Sequence, residues 1–276
     1  MRPRWLAVPV ALVALAAVWG FVIEPNRLVV RETRLVLPRW PAALDGLRLA
    51  VVADIHAGAP WIDENKVERL VAEVNDTRPD LVVLLGDFVI LEVLGGRSLP
   101  PEPTAQRLAG LRAPLGVVAI LGNHDWWYDG PRVRRALEGA GVPVLENAAL
   151  RLERQGTPFW LVGLADVWTR EPDVVGPLRD IPADEAVIVL THNPDVFPRI
   201  PARVALTLAG HTHGGQMMLD RQYGTGPVLF RYWSGLYTRG RSQMIVSNGV
   251  GNMFPIRINA PAEIVHITLR SAGTHG

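Results

Sequence analysis

Five of the seven histidines in this chain stand beside aspartate, asparagine or glycine at the ends of apolar runs. The blocks are Asp54-Ile55-His56, Gly86-Asp87, Gly122-Asn123-His124-Asp125, Thr191-His192-Asn193 and Gly210-His211-Thr212-His213. The other two histidines, His266 and His275, lie near the C-terminus. Carboxylates, an amide oxygen and imidazoles are hard-to-borderline ligands that suit divalent Mn, Fe or Zn. The chain has no cysteine, so no thiolate competes, and disulfides and thiol nucleophiles are excluded.

Taken singly, most blocks have plain readings. Asp54 and His56 alternate at the end of a strand, where residues i and i+2 share a face, and could be surface groups closing it. Gly86-Asp87 alone reads as a turn, and His192 alone as a strand cap. His211-Thr212-His213, set between Gly210 and Gly214-Gly215, is harder to explain structurally: two imidazoles two apart sit where glycines permit close backbone approach. Together the five blocks read as a metal site.

Elements must bring these residues together across 160 positions. Residues 28–37 read as a strand, and the apolar runs 47–53 and 81–85 read as strands delivering Asp54 and Gly86-Asp87. Asp63 reads as a helix N-cap, followed by Val67, Leu70, Val71 and Val74 on one helical face. A loop is expected over 91–103, a short helix over 105–111 and a strand over 116–121. Val133, Ala136, Leu137 and Ala140 repeat the helical spacing. Strands are expected over 149–153, 159–164, 186–190, 204–208, 244–246 and 264–269. Strand–helix alternation that turns strand-rich predicts an α/β (α+β) fold of two packed sheets flanked by helices. The blocks should then converge beyond the carboxyl ends of the strands.

Size and composition allow a large core, with 276 residues, 49% hydrophobic and 20% charged. A net charge of +1 gives no electrostatic case for a nucleic-acid partner. Residues 5–23 carry no charge, follow Arg2 and Arg4, and end at Glu24-Pro25-Asn26. That length fits one bilayer crossing, with a cleaved signal peptide as the alternative. The expected organisation is a membrane anchor over 1–25 and one domain over 26–276. Arg2 and Arg4 favour a cytoplasmic start and an extracytoplasmic domain, although Arg27, Arg31, Arg34 and Arg39 follow the segment.

The five blocks, in order, resemble the calcineurin-like metallophosphoesterase family. Residues 44–48 (Leu-Asp-Gly-Leu-Arg), 210–216 (Gly-His-Thr-His-Gly-Gly-Gln) and 254–257 (Phe-Pro-Ile-Arg) are similar to a bacterial subgroup of membrane-anchored phosphodiesterases. The resemblance implies a four-layer αββα sandwich. It implies two divalent metal ions, manganese foremost, the first held by Asp54, His56, Asp87 and His213. The second would be held by Asp87, Asn123, His192 and His211, with Asp87 bridging. His124 would be catalytic rather than a ligand. Two ions about 3.5–4 Å apart can hold a bridging hydroxide that attacks phosphorus. One departure stands out: several branches carry an aspartate three residues after Gly-Asp that orients the catalytic histidine, and here that position is Ile90.

The expected function is hydrolysis of phosphodiesters at the cytoplasmic (inner) membrane. The alternatives are a pyrophosphatase acting on a nucleotide-linked lipid such as UDP-2,3-diacylglucosamine, and a non-catalytic scaffold of the same fold. Trp126, Trp127 and Tyr128, next to His124, are candidates for stacking on a substrate or for simple packing.

Overall fold

The computed structural model describes residues 7–91, 93–217 and 231–273; Arg2, Arg4, Trp5 and His275 lie outside the described residues. Helix α1 (Val8–Asn26) is long and apolar enough to cross a membrane, with mean hydropathy 2.0. It runs one turn past the uncharged segment and widens into a π-turn over Trp19–Ile23. In that five-residue spacing the partner of Gly20 O is Pro25, which has no N–H. The backbone N–H of Arg257 donates to Gly20 O instead, at 2.9 Å. The foot of α1 is thus fastened to the domain.

Strands β1 (Leu28–Leu37) and β2 (Arg48–Val52) are followed by α2 (Glu64–Asp76), β3 (Leu81–Leu84), α3 (Pro101–Leu108), β4 (Val117–Ala119) and α4 (Asn123–Gly139). Then come β5 (Ala148–Arg154), β6 (Thr157–Gly163), β7 (Ala186–Leu190), β8 (Leu206–Ala209), β9 (Gly235–Arg239), β10 (Ser242–Val246) and β11 (Ala262–Ser271). One mixed sheet has the order β1-β11-β2-β3-β4 and the other β5-β6-β7-β8-β10-β9. Strands β2, β3 and β4 run parallel, as do β6, β7, β8 and β10.

The continuous apolar runs are explained by burial on both faces. Leu49, Val51, Leu81 and Val83 point between the sheets with Phe159, Ile188 and Leu208. Their neighbours Ala50, Val52, Val82 and Leu84 pack under α2, α3 and α4 with Val67, Leu70, Leu108 and Leu137. Beyond the second sheet, Val187 and Val189 are covered by Val196 and Phe197 from a 3-10 turn (Pro194–Arg199) and by Ile200, which follows it. The expected layering is present, its fourth layer built of short turns.

Asp63 caps α2 as expected, its side chain accepting from Lys66 N at 2.8 Å. Helix α3 starts inside the expected loop, because Pro101 occupies its first turn, where a missing N–H costs nothing. Helix α4 begins ten residues before its apolar face. It is two helical segments joined at Asp129, which leaves helical geometry and caps the second by accepting from Arg132 N at 3.0 Å. Strand β9, on the sheet edge and half exposed, has too little apolar patterning to be read from sequence.

Candidate metal centre

Each candidate residue sits just after a strand. Asp54 and His56 follow β2, Asp87 follows β3, and Asn123 and His124 follow β4 and open α4. His192 follows β7, and His211 and His213 follow β8. The carboxyl ends of three strands in one sheet and two in the other meet here. One reason offered by the sequence needs correction: β2 ends at Val52, so Asp54 and His56 are not alternating strand residues. They share the site because both have left-handed backbone, φ 52° and 47°.

That conformation recurs at Asp87 (φ 57°), His211 (φ 72°) and His213 (φ 51°). Non-glycine residues held there cost on the order of 1–3 kcal/mol each. Strain at five of the seven candidate ligands means that packing elsewhere in the fold overrides local preference in order to aim them. Gly122 is required for the same convergence. A Cβ there would lie 2.3 Å from Asp87 Oδ1 and 2.7 Å from His192 Cε1.

The donors form overlapping groups whose ligand atoms lie within 4.8 Å of one another: Asp54, His56 and His213; Asp87, His192 and His211; and His56, Asp87 and His124. Asn123 Oδ1 is 3.1 Å from His192 Nε2. Asp87 Oδ2 lies 3.5 Å from His56 Nε2 and 3.1 Å from His192 Nε2, between the first two groups. Its Oδ1 accepts from His124 N, in the first turn of α4, at 2.9 Å. His124 falls in a metal-capable group, so proximity alone does not separate its role from theirs. His266 belongs to none of these groups.

Backbone carbonyls set three of the imidazoles. Val89 O lies 3.0 Å from His56 Nδ1, Leu85 O 2.7 Å from His192 Nδ1, and Gly251 O 3.0 Å from His213 Nδ1. A carbonyl only accepts, so each Nδ1 carries its proton; the Nε2 atoms of His56 and His213 present lone pairs to the centre, and that of His192 would do so once a cation displaces its second proton. The donor set fits divalent cations on this ground.

Burial dominates the electrostatics. It pushes the Asp54 carboxyl up to about 7, the Asp87 charge adding to it. It pushes His56 down to about 4, against the opposing pull of Asp87, and His211 down to about 3, with His192 adding. His213 is held well below the usual range by burial and by His56. For His192 burial opposes the cation, but the charge and hydrogen bond of Asp87 prevail and raise it to about 10. Asp87 is held well below the usual carboxylate range: burial resists, and the neighbouring histidines, His192 first, outweigh it. Burial lowers His124, with Asp87 opposing.

A backing loop over 247–252 supports the centre. Val250 N donates to Ala53 O at 3.0 Å and Gly251 N to Asp54 O at 2.6 Å. Gly249, at φ 67°, leaves no room for a side chain, since a Cβ would lie 2.7 Å from that of Asp54. Arg257, fully buried, braces this loop by donating to Asn252 Oδ1, Asn248 O and Gly251 O. Gly251 O is also the His213 partner, so Arg257 links the foot of α1 to a candidate ligand.

Asp125 does not touch its neighbour's ring. Its carboxylate accepts from Gly122 N, Asp87 N and Phe88 N at 2.8–2.9 Å, and from Val89 N at 3.3 Å. It clamps the Asp87 turn to the start of α4. Burial pushes its carboxyl up to about 7, the Asp87 charge adding to this, while these N–H donors favour the charged form. Asp125→Asn directs an amide NH2 at N–H donors. It is expected to lower stability by about 1.5–3 kcal/mol and to reduce bound metal, read by thermal unfolding and elemental analysis. Wild-type values for both would show that the clamp is dispensable.

Ile90 is buried in the core under the helices, so nothing there orients His124. His124 Nδ1 has no hydrogen-bond partner among the described residues. The ring is held edge-on between His56, at 4.8 Å between centroids, and Trp127, at 5.0 Å. Of the three aromatic residues after His124, only Trp127 lines the cavity of about 320 Å³ that opens over the centre. Trp126 carries Arg170 over its ring at 3.7 Å, and Tyr128 pairs with Arg132. Trp168, which no motif marked, lies edge-on to His211 at 4.3 Å and completes the wall with Trp233, Met253 and Phe254. Its only sequence signal was a tryptophan in a loop after a strand.

Buried strand-end carboxylates and imidazoles, arranged beyond two facing sheets, define a metal-binding hydrolase fold. Residues 47–215, more than half of the chain, match the family model for calcineurin-like phosphoesterase, and the chain belongs to that family. It is 29% identical to the zebrafish (Danio rerio) transmembrane protein with metallophosphoesterase domain over 98% of this chain, but spans only 63% of that protein's length. It is 29% identical to phosphodiesterase YaeI of Escherichia coli, covering 97% of this chain and 98% of that one. It is 30% identical to the UDP-2,3-diacylglucosamine pyrophosphatase LpxG of Chlamydia trachomatis, covering 94% and 93%. Among solved structures, the NAD nucleotidase of Haemophilus influenzae shares the fold, with a TM-score of 0.50 and 12% identity over 74% of this chain and 45% of that one.

Proposed function

We propose that the chain is a dinuclear metal-dependent phosphodiesterase, tethered by α1 as a single membrane span over residues 1–25, with residues 26–276 as its catalytic domain. One ion would be held by Asp54, His56, Asp87 and His213, the other by Asp87, Asn123, His192 and His211, with manganese the first candidate metal. The observation that carries this reading is the position of Asp87 Oδ2 between His56 Nε2 and His192 Nε2. When bound, such a pair supplies an activated water and neutralises charge on the phosphoryl oxygens.

The protein's own groups do the rest. His124, facing the cavity beside Asp87, would hold a proton for the leaving oxygen. Burial lowers its pKa, with the charge of Asp87 opposing. Trp127, Trp168 and Phe254 give the substrate an apolar wall.

That wall favours a second reading, a pyrophosphatase acting on a nucleotide-linked lipid, the activity named for the Chlamydia relative. Phe254, 64% exposed, is three residues from Arg257, which holds the foot of α1, so an acyl chain in the bilayer lies close to the cavity. We favour an extracytoplasmic domain at the inner membrane, as the N-terminal charges suggest.

The test is to purify the full chain in detergent, remove metal with a chelator and titrate manganese against a chromogenic phosphodiester and a phosphomonoester. The expected result is diester cleavage that follows two metal equivalents. Turnover of a UDP-linked diacyl lipid alone would favour the second reading. Metal binding without turnover of any of these would favour a scaffold, and well-folded protein that binds no metal would refute the proposal.

A further inference from the structure

We infer that a pocket at the foot of α1 holds the phosphate of an anionic phospholipid headgroup. This rests on the reading of α1 as a membrane span and is separate from the catalytic centre. The pocket, about 440 Å³, is lined by Asn26 at the end of α1, by Trp61 and Asp63 after β2, by Arg69 on α2, and by Arg97. Its walls are two loops tied together, Arg97 N donating to Gly58 O and Gly58 N to Ile62 O, each at 2.8 Å.

The charge balance favours an anion. Arg69 and Arg97 are exposed and have no ion pair among the described residues. Asp63, the one acidic lining residue, is engaged as the α2 cap. Beneath them Lys66 is buried, and its Nζ donates to Asn26 O at 2.6 Å, closing the C-terminal end of α1. Its pKa is pushed down to about 8, by burial first and then by the charges of Arg69 and Arg257, so the surroundings are already positive. Two guanidinium forks with unused donors suit a phosphate diester.

Depth selects a lipid. A helix of 19 residues is about 28 Å long, close to the hydrocarbon thickness of about 30 Å, which leaves Asn26 at headgroup level. Trp61 lines the pocket and the exposed Leu94 (80% exposed) adjoins its Gly95 wall, while Trp19 lies about 10 Å back along α1, where Arg27 stacks over it at 5.6 Å. Aromatic and basic residues of this kind mark a membrane interface.

The full chain, purified in mild detergent, would be offered equal dioleoyl-phosphatidylglycerol and dioleoyl-phosphatidylcholine, and bound lipid counted by native mass spectrometry. One phosphatidylglycerol retained per chain, weakened about thirtyfold in Arg69→Gln/Arg97→Gln, is the expected result. Equal retention of both lipids, or undiminished phosphatidylglycerol in the double variant, would overturn the inference. Displacement by inorganic phosphate would overturn the lipid assignment in favour of a soluble oxyanion. Soluble-diester cleavage should be unchanged in the variant. If carbonate washing strips the full chain from membranes, the span reading fails; a membrane-embedded chain indifferent to lipid charge overturns the pocket alone.

Discussion

Asp87→Asn is expected to keep its fold, lose both metal equivalents and lose at least about a thousandfold in diester turnover, several kcal/mol of transition-state stabilisation. Asp87 uses both oxygens: Oδ2 faces His56 and His192, and Oδ1 accepts from the first turn of α4. Asparagine offers one acceptor and must turn an NH2 group toward either the histidines or an N–H donor. It also removes the charge that raises His192 and opposes the lowering of His56. Elemental analysis beside steady-state kinetics checks this. Two metal equivalents on the folded variant would break the bridging assignment, whatever its activity.

His124→Ala should behave in the opposite way, retaining both metal equivalents while turnover falls by at least about a hundredfold. The ring makes no hydrogen bond through Nδ1 among the described residues and is placed by contact with His56 and Trp127. A proton donor to the leaving oxygen matters most when that oxygen is a poor leaving group. The loss should therefore be larger for alkyl than for nitrophenyl leaving groups, whereas purely electrostatic stabilisation would lower both alike. Unchanged turnover would remove His124 from the chemistry, and loss of one metal equivalent would make it a ligand. Trp127→Leu loosens one wall of its seat and should lower turnover more than metal content; equal loss of both would mean that Trp127 supports the fold instead.

Much of the architecture was legible because buried parallel strands must be apolar on both faces, as in the runs before Asp54, Asp87 and His192. Helix α2 announced itself through an N-cap and four apolar residues on one face. The start of helix α3 did not, because prolines that usually end helices here begin one, four residues before the short helix expected over 105–111. The first turns of α4 did not either: Asn123, His124 and Asp125 are spent on the centre and its support, leaving little apolar periodicity to read.

By itself the sequence determined the kinds of donor, their order, their attachment to strand ends and an N-terminal helix long enough for a bilayer. These follow from side-chain chemistry and hydrophobic periodicity, which are local properties. The tertiary structure decided how the donors are aimed. The left-handed backbone at Asp54 and His211 is held by a contact between them, His211 N donating to both Asp54 oxygens at 3.0 Å across 157 positions. The lone pairs of His56, His192 and His213 are set by carbonyls from other segments. Asp125 serves the Asp87 turn rather than His124, and Trp127 rather than Trp126 faces the cavity. Each of these choices is made by a partner distant in sequence, and no local pattern encodes which of several polar groups a folded chain will bring within 3 Å of another.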